Sequence, residues 1–344
     1  AESIYYKPYN VTRKMKLKNY LTLFILSFMA ICANAQTGTA STQTVTVNGT
    51  TRSMIVYCPK SLDKNRPLVL SLHGMNQDAN YQRGQCKWDL VADTAKFLVV
   101  YPQGEGNSWD ISSMKDINFM AAIIKKMYSS YHIDTTRVYL NGFSMGAMFT
   151  YEAAIKRADL FAAFAPASGY PLYDANNFGS SRPVPIIAIQ GMSDNVFTPT
   201  DIPPYVEKWA KRNGCNMTPT VTSPYYPPYC TIGYYAVPTR KIWKGGLNGT
   251  MVELVTITNK GHWYCDDPGC LLASVEIWKF VKNYTTKTGQ TTDIDNKIKK
   301  TSENITSEKT YNLAGQAVSN NGQGLHIIKK TFADGNSETK KIIR

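Results

Sequence analysis

Between Gln36 and about Thr285, short apolar runs of β-type residues alternate with stretches of helical periodicity, and few folds accommodate that rhythm. The apolar runs fall at 52–57, 67–72, 97–101, 137–141 and 184–190. Helical spacing is clearest over 114–131, where Ile117, Met120, Ala121, Ile124 and Met127 share one face, and again over 271–281. Strand and helix alternating at this interval predict one α/β domain over 36–285, a mostly parallel central sheet with helices on both faces.

The two ends of the chain read differently. From Met15, the stretch MKLKNYLTLFILSFMAICANAQ places Lys16 and Lys18 ahead of an apolar run ending near Cys32, then Ala33-Asn34-Ala35. That is the pattern of a secretory signal peptide over 15–35, with 1–14 an upstream extension outside the fold. The run is shorter than the roughly 20 apolar residues of a membrane span, so no stable span is expected. Over 286–308, Thr, Lys, Asp, Asn and Ser replace apolar periodicity, as in a linker. Residues 309–344 offer three short β-type stretches between Asn/Gly-rich turns, a small module that suits an address better than catalysis.

Charge follows the same division. The chain carries 38 Lys+Arg against 25 Asp+Glu, a net +13 that by itself suggests a nucleic-acid or acidic partner. Four of those charges belong to 1–35 and four to 286–344, leaving five on the central domain. Most of the excess sits in the ends, and no nucleic-acid partner is expected.

The densest chemical signal is Gly142-Phe143-Ser144-Met145-Gly146. It follows the β-run at 137–141 and opens a helical stretch over 147–155. A serine at such a strand-to-helix turn, with glycines that let neighbouring elements approach, has the context of a nucleophile elbow. Its hydroxyl needs a base, usually a histidine oriented by a carboxylate. Of four histidines, His73 and His132 precede the serine and His326 lies in the C-terminal module. His262, in Gly261-His262-Trp263 after the β-run at 252–257, is the candidate base. The chain order Ser, acid, His confines the acid to 145–261. Asp194 directly follows an apolar strand there, whereas Asp159, Asp174 and Asp201 do not. For an oxyanion the candidates are the backbone N–H groups of Met145 and of Met75, in the His73-Gly74-Met75 turn after the second strand. His73 is read as structural. No His/Cys/Asp cluster has metal spacing, and neither a metal nor an organic cofactor is expected.

Taken together, Leu72-His73-Gly74-Met75-Asn76-Gln77, Tyr101-Pro102-Gln103-Gly104, Trp109, Asp134-Thr135-Thr136-Arg137, Gly142-Phe143-Ser144-Met145-Gly146, Asp194 and Gly261-His262-Trp263 resemble the secreted α/β-hydrolase esterases. That group includes feruloyl esterases, acetylxylan esterases and polyhydroxybutyrate depolymerases. The resemblance covers roughly 51–284 and implies the α/β-hydrolase fold, with Ser144 as nucleophile, His262 as general base and acid, and Asp194 as its orienting carboxylate. The amides of Met75 and Met145 would form the oxyanion hole. It implies removal of feruloyl or acetyl groups from plant cell-wall xylan, an ester-decorated poly- or oligosaccharide being the partner. Polyester depolymerisation is the nearest alternative, and a non-catalytic glycan-binding surface protein is the alternative of another class.

Substrate contacts are sought in aromatic residues: Trp109 beside the strand end at Tyr101, Trp263 beside His262, and Tyr226 and Tyr229 in the Tyr225-Tyr226-Pro227-Pro228-Tyr229-Cys230 segment. Residues 309–344 resemble a type IX secretion sorting domain, through Tyr311-Asn312-Leu313-Ala314-Gly315, Gly324-Leu325-His326-Ile327-Ile328 and a basic end, implying export by a secretion machinery to the cell surface or medium. Export would favour disulfides, and position along the chain suggests Cys215–Cys230, Cys265–Cys270 and Cys58–Cys86 among the 15 connectivities that six cysteines allow.

Overall fold

The computed structural model describes residues 37–171 and 182–286, with 305–311, 317–318, 325–332 and 337–343 beyond them. It opens on a hairpin, β1 (Thr39–Val47) against β2 (Thr50–Cys58). Asn48 and Gly49 turn it with φ of 50° and 80°, the double positive φ that matches strand twist and that Asn-Gly adopts at least cost. There follow β3 (Leu68–Leu72), α1 (Ala79–Gln85), α2 (Trp88–Ala95), β4 (Leu98–Pro102), α3 (Lys115–Tyr131), β5 (Val138–Phe143) and α4 (Met145–Lys156). Next come β6 (Ala163–Ala167), β7 (Ile186–Gly191), α5 (Ile202–Arg212), β8 (Thr220–Thr222), β9 (Pro238–Trp243), β10 (Val252–Ile257), β11 (Asp266–Asp267), β12 (Leu271–Leu272) and α6 (Ala273–Val281).

These strands form a sheet in the order β1-β2-β4-β3-β5-β6-β7-β10-β9-β8, with β11 and β12 pairing separately. Its six central strands, β4 to β10, run parallel, and the outer ones are antiparallel. Alternate side chains feed two cores. Leu68, Leu70 and Leu72 pack with Ile117 and Met120 of α3, Phe149 of α4 and Trp209 of α5. Val69 and Val99 face the other way, toward Ala92 of α2 and Ile277 and Phe280 of α6. β3, β4 and β5 are wholly buried, and a strand buried on both faces has no polar side to show, which is why they read as mostly apolar runs, with Ser71 and Asn141 the buried polar exceptions. The fold is an α/β-hydrolase sheet covered by helices on both faces.

At the C-terminus β13 (Ile305–Tyr311), β14 (Ala317–Val318), β15 (Leu325–Phe332) and β16 (Ser337–Ile343) make a separate antiparallel sheet, ordered β14-β13-β15-β16. Three stretches were expected there; the first is two strands, with Thr310 paired to Val318 and Tyr311 to Ala317. Its β13 also begins inside the expected linker. The expected extension 1–14, signal peptide 15–35 and most of the linker lie outside the described residues. Among the described residues no helix is long and apolar enough to cross a membrane.

The disulfide expectation is corrected. Cys58, Cys86, Cys215, Cys230, Cys265 and Cys270 are all free thiols. Cys58 packs against one core and Cys86 lies in the other, so the sheet separates them. Cys215 lies in the first core, while Cys230 touches the carbonyl of Cys270, which belongs to the second. In the β11–β12 hairpin Asp266 faces Leu272 and Asp267 faces Leu271. That register does not set Cys265 opposite Cys270, and both thiols are free.

Candidate active site

Parallel strands deliver their C-terminal ends to one edge of the sheet, and that edge collects the loops after β3, β5, β7 and β10. Ser144 follows β5 directly and has φ 55° and ψ −117°, a strained turn for a residue with a side chain. The turn closes because Gly142 and Gly146 lack Cβ atoms. A Cβ on Gly142 would stand 2.1 Å from the Gly146 carbonyl oxygen, and one on Gly146 would stand 2.7 Å from those of Leu72 and His73. The Ser144 amide donates to Ala167 O at 3.0 Å, fixing the turn to β6.

His262 reaches Ser144 from the loop after β10. Its Nε2 lies 2.9 Å from Ser144 Oγ and its Nδ1 lies 2.9 Å from Asp194 Oδ2. A carboxylate can only accept, so Nδ1 carries the proton and Nε2 is free to accept from the serine hydroxyl. Phe143 and Phe197 flank the imidazole, with ring centroids 5.0 Å and 5.5 Å away. The side chain of Asp194 is fully buried and that of His262 16% exposed, so the relay opens to solvent only near the serine.

Asp194 is held from several sides. Its Oδ1 accepts from the amides of Val196 (2.8 Å) and Phe197 (3.0 Å), and its Oδ2 accepts from Gln190 Nε2 (3.0 Å) as well as from His262. Burial pushes this carboxyl up, but the bonds from His262, the two amides and Gln190 outweigh it and hold it below the usual carboxylate range. It therefore stays ionised where a histidine needs an anionic partner.

The loop after β3 approaches the same serine. A Cβ on Gly74 would meet Ser144 Cβ at 3.2 Å, and the Gly74 amide donates to Gln77 Oε1 at 2.9 Å, which folds the turn. The amides of Met75 and Met145 have no backbone acceptor among the described residues. Met145 opens α4, where N–H groups point outward and the helix field favours an anion. His73 is buried beneath them. Gly104 N donates to its Nε2 at 3.0 Å, so its Nδ1–H donates to Gly74 O at 2.7 Å. Burial lowers its basicity, and it props the loop as a neutral ring.

Aromatic residues singled out in the sequence fall in different places. Trp263 is 61% exposed beside His262, its backbone carbonyl accepting from Ser168 Oγ at 2.9 Å. Tyr226 is exposed at the surface. Trp109 is corrected: it is 3% exposed, packs against His73 and Phe149, and donates from Nε1 to His73 O at 2.7 Å. Its ring is covered, so it supports the loop and lines no cleft. Tyr229 is half-buried; its hydroxyl donates to buried Glu276 Oε1 at 2.7 Å and, with Tyr225, ties its segment to α6. Gln190 was missed, because a glutamine inside a strand gives no signal until the acid loop folds over it. Asp159 pairs with Arg157, Asp201 lies in the turn before α5, and Asp174 is outside the described residues. Among the described residues no three His, Cys, Asp or Glu side chains converge as metal ligands.

Sheet order and site geometry place the chain in the α/β-hydrolase class. Comparison with known proteins narrows this. Residues 52–194 match the family model described as Esterase PHB depolymerase. Over 245 residues the chain is 37% identical to the bifunctional acetylxylan esterase/xylanase of Neocallimastix patriciarum, covering 69% of this chain and 34% of that one. It is 28% identical over 259 residues to poly(3-hydroxyalkanoate) depolymerase C of Paucimonas lemoignei, covering 63% and 59%. The solved acetyl xylan esterase from Aspergillus awamori is similar in fold, with a TM-score of 0.55 at 20% identity over 70% of this chain and 99% of that one. The chain thus spans 34% and 59% of the two curated relatives. It is an α/β-hydrolase related to the esterase group of acetylxylan esterases, feruloyl esterases and polyhydroxybutyrate depolymerases.

Proposed function

We propose that the chain is a serine carboxylic-ester hydrolase that removes acetyl or feruloyl groups from plant cell-wall xylan. The observation that carries the chemistry is the continuous Ser144–His262–Asp194 relay, with both links at 2.9 Å. Ser144 Oγ attacks the ester carbonyl while its proton passes to His262 Nε2, and Asp194 stabilises the imidazolium that forms. The amides of Met75 and Met145 receive the charge that develops on the carbonyl oxygen. His262 returns the proton to the departing sugar alkoxide, leaving an acyl-Ser144. Water then adds with His262 as base, and the acid leaves.

The substrate reading is supported by the bifunctional acetylxylan esterase/xylanase relative and by Trp263, an exposed indole beside the base that suits a sugar face or an aromatic acyl group. The family model and the poly(3-hydroxyalkanoate) depolymerase relative favour a second reading, hydrolysis of an aliphatic polyester. Acetylated xylan, methyl ferulate and polyhydroxybutyrate assayed side by side separate the two; turnover of the polyester alone overturns the first. Ser144→Ala should remove all ester hydrolysis, and full activity in that variant would mean that Ser144 is not the nucleophile; a parent protein that hydrolyses none of the three would favour the glycan-binding alternative. Residues 15–35 and 309–344 are proposed as export and sorting segments around a catalytic domain at 36–285 and a linker at 286–308. Unchanged export after deletion of 309–344 would remove the sorting role.

A further inference from the structure

Below the catalytic loops lies a buried polar cluster that the acyl-transfer steps do not use. Asn141, on β5 and 1% exposed, is its centre. Asn141 Oδ1 accepts from Tyr264 OH at 2.7 Å, from Trp88 Nε1 at 3.1 Å and from Ser71 Oγ at 3.1 Å. Its Nδ2 donates to Ala165 O at 2.6 Å. The Trp88 indole is shared with Tyr264 OH at 2.9 Å, and Ser71 Oγ accepts from Gln82 Nε2 at 2.9 Å. Every polar atom of the Asn141 side chain is thereby occupied.

What these partners have in common is their place in the chain. Asn141 stands three residues before Ser144 on the same strand. Ser71 stands two before His73 and four before Met75 on β3. Tyr264 stands two after His262, and Ala165 two before Ala167, whose carbonyl holds the Ser144 amide. One amide therefore links the strand of the nucleophile, the strand of the oxyanion loop and the loop of the base. Around it the walls are apolar: the Tyr264 ring meets Phe143 edge-on at 6.4 Å, and Trp88 meets Phe97 at 6.0 Å. Burying polar groups there brings little net stability over apolar side chains of equal volume, because each hydrogen bond first repays desolvation. What such a network supplies that packing does not is one fixed register between the elements it joins.

We infer that Asn141 and Tyr264 are positioning residues that set the distance between His262 and Ser144 and the height of the Met75 turn, an inference that rests on the acyl-transfer reading of that site. The chemistry needs the serine oxygen and imidazole nitrogen within hydrogen-bond reach, and a displacement on the scale of 1 Å costs on the order of 100-fold in rate.

The test uses the full chain. Ser144→Ala is made first: loss of all hydrolysis of p-nitrophenyl acetate keeps the site reading, and full activity would overturn that reading instead. Tyr264→Phe removes one hydroxyl and no volume, and Asn141→Ala removes the hub, with Ser71→Ala as a milder substitute if the hub variant fails to fold. All are measured well below their melting temperatures. The expected result is a fall in kcat of about 10- to 100-fold with KM within about twofold. Phosphonylation of Ser144 by a fluorophosphonate should slow in step, and the double variant should be no slower than the slower single. A Tyr264→Phe protein with a lowered melting temperature but kcat and phosphonylation within about twofold of the parent would make the cluster a stabilising one only and refute the inference. A rise in KM at constant kcat would refute it too.

Discussion

Gly146→Ala puts the elbow geometry to a direct test. The added Cβ would lie 2.7 Å from the carbonyl oxygens of Leu72 and His73 and 2.9 Å from Leu72 Cβ, where ordinary contact begins at 3.4 Å. Relief needs a separation of about 0.7 Å between the start of α4 and the end of β3. Neither side yields easily. Leu72 is held in the middle of the sheet against Gly142 of β5, and the helix is anchored by the wholly buried Ala147 and Phe149. The strain should cost about 1–3 kcal/mol, or roughly 2–4 °C of melting temperature for each kcal/mol at this domain size. Ser144, Met145 N and the Met75 turn all sit on the two elements being pushed apart, so the oxyanion donors separate along the direction that matters. The expected fall in kcat is on the order of 100-fold. Gly84→Ala is the control: Gly84 lies in α1 with nothing within 4 Å of a new Cβ. It should gain up to about 1 kcal/mol and leave kcat unchanged. Steady-state hydrolysis of p-nitrophenyl acetate and calorimetry on both variants decide the matter. A Gly146→Ala protein with parental kcat and melting temperature would refute the reasoning.

Three further outcomes follow from the site and its surroundings. Asp194→Asn should keep the fold but lower kcat by about 10⁴-fold, since an amide can neither stabilise the imidazolium nor hold the Nδ1–H tautomer; circular dichroism and turnover measured together check it. Tyr229→Phe should cost about 1–3 kcal/mol by taking a donor from buried Glu276 while leaving KM for acetylated xylan unchanged, and a raised KM would return Tyr229 to the substrate. Asp266, which accepts from Ser274 N and Oγ and from Lys87 N, is pushed up to about 6 by burial. A carboxyl raised in the folded state binds protons the unfolded chain releases, so its contribution is greatest below about pH 4 and is lost as pH rises through about 6. Asp266→Asn should therefore destabilise more at pH 4 than at pH 7, by about 2 kcal/mol, and urea melts at the two pH values giving equal losses would contradict it.

How much of this was legible in the sequence depends on how local each signal is. Runs at 67–72, 97–101 and 137–141 correspond closely to β3, β4 and β5, because a strand buried on both faces is mostly apolar. Helix α3 was equally plain from its one-sided spacing. Helices α1 and α2 were not foreseen, since each spans barely two turns and buries only two side chains. The aromatic residues misled for a related reason. Trp109 looks the same in a sequence as Trp263, and which ring meets solvent is settled by what folds over it.

By itself the sequence determined the α/β rhythm, the order of the elements and the short list of nucleophile, base and acid, because strand burial, turn chemistry and the scarcity of histidine are all written within a few neighbouring residues. Only the tertiary structure decided which groups meet. Ser144 and His262 stand 118 residues apart and His262 and Asp194 stand 68 apart, and nothing local brings them to 2.9 Å. The same holds for Cys58 and Cys86, which the sheet separates although chain position does not reveal it, and for Asn141, an unremarked residue of an apolar strand until three elements close around its amide. Contacts of this kind depend on how parallel strands stack side by side, and that order is set by the packing of the whole domain.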